Sequence, residues 1–480
     1  MPGRDAARVH RALCGNRRVS APRTDPAEPP SSASLPDPAL DDQPLNWTEG
    51  AMPRLLPYGA ALFPALTQAI NQARASIWLQ TYIFHTDDVA LGIASALCDA
   101  AQRGVQVRVL VDGLGSGLSV DALSSRFAEA GVEFMVFRPW RKWPDVVQRG
   151  RWRRLHRKLC VVDARIAFIG GINLIDDRLD IHHGWSAQPR LDYAVQYQGH
   201  LARQTQWVMQ RLWLRTVLAG SLQRRLRKLP GPGVFDTSPN QRAYWQELLD
   251  WGYANPPADE DDAPLRPSQA PPDAAAPETP RRMPVSLAQS LCALVVRDNV
   301  SRRRAIEHSY IRAIDRARSR VLIVSPYFYP GHDFRQALKN AAARGAQVKL
   351  LLQGRIDYRM AAWAARALYG EMLRAGVLIY EYTPAYLHAK VAVVDEDWAT
   401  VGSSNIDPLS LLVNLEANLA VRDRAFAREL GAHIEGQIAR SLPINTPARL
   451  RTRAPWWLRP FVAVAARAFV ALAGGIKNEY

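Results

Sequence analysis

The sequence predicts an α/β protein made of two copies of one domain, each a mostly parallel sheet covered by helices. Three observations predict this fold class. Strand-length apolar runs alternate with stretches of helical period along most of the chain. Several of these runs occur twice, in the same order, in the two halves. One short polar motif also occurs twice, opening at Leu155 and at Leu387.

Length, charge and cysteine usage limit the classes of protein that fit. A chain of 480 residues with 48% hydrophobic residues has room for roughly two to four folded domains. A net charge of +16 indicates an anionic partner, such as nucleic acid, a phospholipid surface or a phosphorylated substrate. The four cysteines form no CxxC pair and no cluster with histidine, which favours a reducing compartment and argues against a zinc site.

Shifts in composition divide the chain into five segments. Residues 1–45 are rich in Pro, Ser, Ala and Arg and are predicted to be a disordered basic arm. Nine prolines among residues 254–284 predict an acidic Pro/Ala-rich linker. The repeated domains are therefore expected at 46–253 and 285–445, followed by a C-terminal segment at 446–480.

The two ends of the chain show no signal peptide and no membrane-spanning run. The N-terminus is Arg-rich but lacks an apolar core of signal-peptide length. The apolar stretch from Phe461 follows Trp456 and Trp457 and is too short to span a bilayer. It fits either an amphipathic membrane-interface segment or a terminal helix packed on the core, and the sequence leaves both open.

The internal repeats place the polar motif at equivalent points of the two domains. "ARASIWLQTYIF" pairs with "ARSRVLIVSPYF", "AAQRGVQVRVLVDG" with "AAARGAQVKLLLQG", and "EAGVEFMVF" with "RAGVLIYEY". The motif copies "LHRKLCVVDARIAFIGG" and "LHAKVAVVDEDWATVGS" then align without a gap through Asn173 and Asn405.

Each motif copy carries the same set of polar groups. Residues two apart on a strand share a face, so each histidine lies beside a lysine, His156 with Lys158 and His388 with Lys390. A turn aspartate, a small residue and an asparagine follow in both copies: Asp163, Gly171 and Asn173 in the first, and Asp395, Ser403 and Asn405 in the second.

These groups are the ones that phosphodiester chemistry requires. Histidine can act as nucleophile or acid near neutral pH, while lysine and amide N–H groups stabilise charge on the non-bridging oxygens. Two copies brought together would supply one histidine to attack phosphorus and one to protonate the departing alkoxide. Because the lysines would carry the countercharge, no metal and no other cofactor is expected. The histidine of a single motif copy would more often be an ordinary core residue, but two matched copies favour a catalytic site.

On these motifs the chain resembles the phospholipase D superfamily, whose hallmark is two HxKxxxxD motifs, each followed by a G[GS]xN element. It resembles bacterial cardiolipin synthases more narrowly, especially their B-type branch. The stretches that carry the narrower resemblance include "TYIFHTDDVALGIASAL", "LDYAVQYQG", "WATVGSSNIDPLSLLVNLEANL" and "APWWLRP". The arm and the linker depart from the pattern of the family.

The resemblance implies one active site between the two halves and a two-step transfer through a phosphohistidine. It implies His156 as the nucleophile and His388 as the acid and then the base. It implies phosphate-binding groups at Lys158, Lys390, Asn173 and Asn405, with Gly171 and Ser403 beside them. Asp192 and Glu416 match acidic positions that orient the two imidazoles, although Asp192 lies eight residues further from its motif than Glu416 does. The motif aspartates Asp163 and Asp395 are expected to tie the turn together rather than to react.

The resemblance also implies a substrate and a location. A cardiolipin synthase would join two phosphatidylglycerol molecules, or another phospholipid donor and phosphatidylglycerol, and release glycerol. It would act as a peripheral protein on a phospholipid membrane, at the cytoplasmic face of the bacterial inner membrane, without nucleic acid. The basic, Trp-rich stretch from Arg138 to Lys158 fits a membrane-facing loop or a solvated one. A phospholipase D-type hydrolase, a nuclease and an inactive binding scaffold remain as alternatives, and the oligomeric state stays open.

Overall fold

The computed structural model describes residues 45–139, 153–227, 290–297, 303–355, 359–407 and 414–445, all within one compact unit. The expected linker at 254–284 and the C-terminal segment at 446–480 lie outside the described residues. So do the expected arm, except for its last residue, and residues 140–152 of the basic loop.

The first half follows the order that its apolar runs predict. Its strands are β1 (Arg54–Pro57), β2 (Ser76–Thr81), β3 (Gln106–Asp112), β4 (Glu133–Phe137), β5 (Leu159–Val162), β6 (Ile166–Gly170), β7 (Leu179–Asp180), β8 (Gly184–Trp185) and β9 (Tyr193–Gln198). Its helices are α1 (Tyr58–Gln72), α2 (Asp88–Gln102), α3 (Val120–Ala130) and α4 (His200–Arg227).

The second half repeats that order with small differences. Its strands are β10 (Leu291–Arg297), β11 (Arg320–Ser325), β12 (Gln347–Gln353), β13 (Leu378–Tyr382), β14 (Val391–Val394), β15 (Trp398–Gly402), β16 (Glu416–Arg422) and β17 (Leu442–Pro443). Its described helices are α5 (Ala305–Arg316), α6 (His332–Ala343), α7 (Arg359–Arg374) and α8 (Arg424–Ile438).

The α/β class and the duplication are confirmed, but the sheets are mixed and not mostly parallel. The first sheet has the order β1-β9-β6-β5-β2-β3-β4, and the second β10-β16-β15-β14-β11-β12-β13-β17. In the first sheet β2, β3 and β4 run parallel, because helices carry the chain back between them. The motif strands β5 and β6 are joined by a tight turn and therefore pair antiparallel, as do β14 and β15.

The two sheets face each other across a shared hydrophobic core. Along β2, the side chain of Trp78 lies in this core, while its neighbours Ile77 and Leu79 pack in the core under the outer helices. Along β14, Val393 lies in the shared core and Ala392 packs under the outer helices of the second half. Strands buried on both faces read as continuous apolar runs, which is the pattern of the repeats.

The topology brings the two motif histidines to one end of the sheets. Strand β5 is antiparallel to β2, so the residues just before β5 lie at the carboxyl ends of β2 and β3. His156 precedes β5 and lies at that end. His388 occupies the equivalent place before β14, which is antiparallel to β11.

The two motif aspartates close the turns at the opposite end of the motif strands. The carboxylate of Asp163 accepts hydrogen bonds from the backbone N–H groups of residues 74–76, at 2.7 to 2.9 Å. The carboxylate of Asp395 accepts from those of residues 318–320, at 2.8 to 3.2 Å. Both aspartates have a positive φ, 52° and 54°, a conformation that aspartate tolerates better than most residues.

Replacing Asp395 by Ala should lower the melting temperature and leave the chemistry intact at permissive temperature. The change removes the acceptor of three backbone N–H groups in a partly exposed turn, which we expect to cost about 1–2 kcal/mol. Those bonds lower the pKa of the Asp395 carboxyl, although burial opposes them. The contribution is therefore full above the ordinary value of 3.8 and is lost as the pH falls through the lowered folded pKa.

Calorimetry of the Asp395→Ala and Asp395→Asn variants between neutral and acidic pH checks this expectation. The Asn variant keeps one amide oxygen as an acceptor and should lose less stability. A fully folded Ala variant that melts with the wild type but has no activity would place Asp395 in the chemistry instead.

Candidate active site

The two motif histidines face each other across the junction of the two halves. The ring centroids of His156 and His388 are 6.4 Å apart, and the ring planes are inclined at 67°. Both side chains are mostly buried, with 12% of His156 and 24% of His388 exposed. The two rings therefore lie close together and are only partly accessible to solvent.

Each histidine is held by a carboxylate from the other half. Nδ1 of His156 lies 3.0 Å from Oε1 and 3.1 Å from Oε2 of Glu416. Nδ1 of His388 lies 2.7 Å from Oδ2 of Asp192. A carboxylate on Nδ1 fixes the tautomer with the proton on that nitrogen, which leaves Nε2 as the reactive atom of each ring.

Two backbone bridges hold this crosswise exchange in register. The N–H of His156 donates to the carbonyl of Leu415 at 3.0 Å, next to Glu416. The N–H of His388 donates to the carbonyl of Leu191 at 2.9 Å, next to Asp192. Each histidine is thus hydrogen-bonded to the residue just before its carboxylate partner.

The two lysines lie two residues after the histidines, just before β5 and β14, and donate back to the histidine backbone. Lys158 donates from Nζ to the carbonyl of His156 at 2.9 Å, and Lys390 donates to that of His388. Both are buried, at 7% and 1% exposed. Burial lowers the pKa of Lys158 to about 8 and that of Lys390 to about 7. A bound anion would favour the charged form of both ammonium groups.

Burial and the lysines also lower the pKa of both histidines. For His156 burial lowers the pKa and the nearby Glu416 carboxylate partly opposes this effect. For His388 burial acts together with the charges of Lys390 and Lys158, so its pKa falls well below the ordinary 6.5. Both imidazoles are therefore neutral at pH 7, as a nucleophile or a base must be.

The two carboxylates differ in their surroundings. Burial would raise the pKa of Glu416, but His156, Lys158 and a 2.6 Å hydrogen bond from the Ser403 hydroxyl hold it below its ordinary value. For Asp192 burial prevails and the pKa is raised. Gly171 stands where the second half has Ser403, and a Cβ there would overlap the Asp192 carboxylate. Gly171 therefore leaves room for the Asp192 carboxylate, and Ser403 at the equivalent position donates a hydrogen bond to the Glu416 carboxylate.

The two asparagines are buried next to the motif strands. The amide oxygen of Asn173 accepts from the backbone N–H of Ile83 at 3.3 Å, which leaves its NH₂ group as the available donor. The amide oxygen of Asn405 is buried and has no hydrogen-bond partner. The site thus brings together His156, His388, Lys158, Lys390, Asp192, Glu416, Gly171 and Ser403, with the asparagines beside them. It does not bring Asp163 and Asp395 to the histidines.

Two positioning residues were missed by sequence reasoning. Asp112 at the end of β3 accepts from the backbone N–H of Leu155 at 2.8 Å, just before His156. Gln353 at the end of β12 accepts from that of Leu387 at 2.8 Å, just before His388. The signal was present, because both residues close the paired runs "VLVDG" and "LLLQG". Those runs were interpreted only as strands.

Other neighbours of the site carry charge or an aromatic ring. Arg157 is 3% exposed and donates across the junction to the backbone carbonyls of Glu416 at 3.2 Å and Arg297 at 2.8 Å. The ring of Tyr82 lies 5.0 Å from that of His156. Arg190 lowers the pKa of His388 through its charge, which places a third cation near the lysines.

The hairpin β7–β8 accounts for the different spacing of Asp192 and Glu416. It falls between Asn173 and Asp192 in the first half, and the second half has no strand pair at the equivalent place among its described residues. The insertion lengthens the connection without displacing Asp192, which still pairs with a motif histidine.

Comparisons with known proteins identify the relatives of both halves of the chain. A family model described as "Cardiolipin synthase, PLD-like domain" matches residues 66–184 and 310–438, one stretch in each half. The chain is 35% identical over 412 residues to cardiolipin synthase B of Escherichia coli strain K12, covering 86% of each protein. It is 32% identical over 378 residues to cardiolipin synthase A of Pseudomonas putida strain F1, covering 78% of this chain and 66% of the relative.

A solved structure supports the fold. The phosphatidylserine synthase of Haemophilus influenzae Rd KW20 superposes with a TM-score of 0.59, covering 91% of this chain and 98% of that one, at 13% identity. At that identity the likeness concerns the architecture alone.

Removing the charge of either carboxylate should lower kcat by between about tenfold and 10⁴-fold. Glu416→Gln and Asp192→Asn preserve the shape of the side chains but no longer stabilise an imidazolium across the junction. Steady-state kinetics on a phosphodiester substrate measures the loss.

Glu396→Gln is the matched control, because that glutamate is 53% exposed and pairs with Arg428 on the surface. Its kcat should stay within about twofold of the wild type. A wild-type kcat in either site variant would show that the crosswise pairs do not support the chemistry.

Proposed function

Because the chain belongs to the cardiolipin synthase family of phospholipase D-like proteins, we propose that it is a phosphatidyltransferase acting through a phosphohistidine. It would join two phosphatidylglycerol molecules, or another phospholipid donor and phosphatidylglycerol, into cardiolipin and release glycerol in the first case. The observation that carries this proposal is the pair of crosswise His–carboxylate contacts, with rings 6.4 Å apart and two buried lysines beside them.

In the first step the donor phosphate binds beside Lys158 and Lys390. Nε2 of His156 attacks phosphorus, and the bond from phosphorus to the glycerol oxygen breaks. His388, protonated in the substrate complex, gives its proton to that oxygen, so glycerol leaves as a neutral alcohol. The lysine and asparagine N–H groups stabilise the charge on the non-bridging oxygens.

In the second step His388 is neutral and acts as a base. It takes the proton from the free hydroxyl of a second phosphatidylglycerol, and that oxygen attacks phosphorus. The bond to His156 breaks and cardiolipin forms, so two phosphatidylglycerol molecules give one cardiolipin and one glycerol. Glu416 stabilises the charge on His156, and Asp192 that on His388.

Substrate binding would itself prepare the acid. After burial, the positive charges of Lys390 and Lys158 are the main causes that lower the pKa of His388. An anionic phosphate beside them offsets those charges and raises the pKa of His388. The histidine is thus neutral before the donor binds and more readily protonated once it has bound.

The location remains part of the proposal. Among the described helices none is both long and apolar enough to cross a bilayer. We place the protein as a peripheral protein at the cytoplasmic face of the bacterial inner membrane, where its relatives' substrate lipids would lie within reach. The expected absence of a metal can be tested by adding a chelator, which should leave the chemistry intact.

The affinity for a phosphodiester should fall as the pH rises through about 7 to 8. Lys390 and Lys158, with pKa values of about 7 and about 8, lose their charges in that range and no longer attract the anion. Titration of a water-soluble short-chain phosphatidylglycerol with the His156→Ala variant measures binding without turnover. We expect the affinity to fall about tenfold or more across this pH range, which corresponds to about 1.4 kcal/mol or more of binding free energy.

Lys390→Arg provides the comparison, because its guanidinium stays charged across this range. Its affinity should fall only as Lys158 deprotonates, at a higher pH than in the wild type. An affinity that does not change with pH in either protein would contradict the role of the lysines.

Vesicles of phosphatidylglycerol should yield cardiolipin and glycerol with little phosphatidic acid, as read by mass spectrometry. His156→Ala and His388→Ala should each remove nearly all product, because the two residues act as a unit. The His388→Ala enzyme should also accumulate a phosphatidyl adduct on His156, since breakdown of the adduct needs the missing base.

Three outcomes would change the proposal. Phosphatidic acid as the main product at every lipid composition would make the protein a hydrolase. An adduct on another residue would overturn the assignment of the nucleophile. Substantial activity in either histidine variant would refute the shared site.

A further inference from the structure

A glycine-rich loop after β3 exposes two leucines. The β3 loop, residues 113–119 with the sequence "GLGSGLS", joins β3 to α3. Its Leu114 is 49% exposed and its Leu118 is 92% exposed. An apolar side chain that stays almost entirely in water adds no hydrophobic stabilisation to the fold. The exposed tip of this loop therefore indicates a surface that binds a partner.

The base of the β3 loop is fixed to the site. The Asp112 carboxylate accepts from the backbone N–H of Leu114 at 2.8 Å and of Gly115 at 3.2 Å. The hydroxyl of Ser116 donates to the carbonyl of Tyr82 at 2.9 Å, and a Cβ on Gly115 would overlap the same backbone. Since the ring of Tyr82 lies 5.0 Å from that of His156, the loop is a rigid rim on the His156 side.

The β7–β8 hairpin presents a second apolar tip. Trp185 is 69% exposed and Ile181 is 40% exposed. The carboxylate of Asp180 accepts from the backbone N–H of residues 182 and 183, both at 2.9 Å, so the turn is well defined. The ring of His183 lies 5.3 Å from that of Tyr386, two residues before His388. The hairpin is therefore the rim on the His388 side.

The two tips account for half of the large hydrophobic residues that are exposed in the described part of the chain. The set comprises Met52, Leu114, Leu118, Ile181, Trp185, Leu218, Leu378 and Leu442. Four of them lie on these two tips, one beside Tyr82 near His156 and the other beside Tyr386 near His388, which associates them with the site. Scattered single residues would need no explanation.

A lipid surface fits these tips better than a protein partner does. A stable protein interface needs a continuous patch of about 800 Å² on each side, whereas here two separate segments expose only two large apolar side chains each. A bilayer accepts each tip independently, and tryptophan favours its interface. The net charge of +16 favours an anionic lipid surface over a neutral one.

We propose that the β3 loop and the β7–β8 hairpin insert Leu114, Leu118, Ile181 and Trp185 into an anionic bilayer on either side of the catalytic cleft. The two histidines then face the headgroup layer, and a phospholipid enters the cleft laterally without leaving the membrane. This inference rests on the proposed function only in taking a phospholipid as the substrate.

Vesicle binding tests the proposal. Leu118→Glu and Trp185→Ala should each bind phosphatidylglycerol vesicles about tenfold or more weakly than the wild type, as the lost transfer of one large apolar side chain requires. Leu442→Glu is the control: Leu442 is 52% exposed but lies in β17, on the edge of the second sheet, and the variant should bind as the wild type does. Lipids with brominated acyl chains should quench the tryptophan fluorescence of the wild type more than that of the Trp185→Phe variant.

Binding should also persist at about 0.5 M salt, where the electrostatic attraction between exposed charges is largely screened. On a water-soluble short-chain phosphatidylglycerol the tip variants should retain activity within about twofold, while on vesicles their activity falls with their binding. Melting temperatures of the variants confirm that they are folded, and Leu118→Ser tests the same contact without adding a charge.

Tip variants that bind vesicles like the wild type, or wild-type binding that vanishes at the higher salt, would overturn the proposal. Equal loss of activity on the short-chain substrate would do the same, because the tips would then act within the site. If instead the variants lose vesicle binding but the wild type makes no transfer product, the insertion stands and the proposed function fails.

Discussion

The structure depends on an exchange of carboxylates between its two halves. Glu416 and Asp192 are almost fully buried, and each is hydrogen-bonded to a histidine of the opposite half. A buried carboxylate without a partner costs far more than the pair contributes, so the exchange fixes how the halves must dock. The adjoining backbone bridges at Leu415 and Leu191 set the register to one residue. The shared hydrophobic core supplies the adhesion, and the carboxylates supply the alignment.

The duplication is close in backbone and unequal in chemistry. Gly171 with Asp192 in one half corresponds to Ser403 with Glu416 in the other, and the two arrangements shift the pKa of their carboxylates in opposite directions. The histidines differ too: burial lowers both pKa values, but the Glu416 carboxylate partly offsets this for His156, whereas the charges of Lys390 and Lys158 add to it for His388. The repeated motif thus places its two imidazoles in different electrostatic surroundings.

Much of the fold and the site can be predicted from the sequence, and what cannot has physical reasons. The spacing of two correctly places each lysine beside its histidine, although both residues lie just before the strand and not on it. The turn aspartates lie where they were expected. The prediction of a mostly parallel sheet was wrong, because an apolar run does not indicate whether the neighbouring strand is parallel or antiparallel to it. For β5 and β6 the tight turn at Asp163 makes the pair antiparallel. The pairing of Asp192 with His388 and of Glu416 with His156 depends on how the two halves dock. It cannot be predicted from the spacing of residues along the chain. The exposure of Leu118 likewise depends on what the fold leaves uncovered.

The exchanged carboxylates also have a consequence for the life of the chain during synthesis. His156 and Lys158 leave the ribosome more than 200 residues before Glu416, so a nascent chain carries a histidine that nothing orients. A chain that ends before β16 lacks Glu416 and should be inactive for the same reason. Both His–carboxylate contacts can therefore form only after the last strands of the second sheet have been synthesised and have folded against the first half.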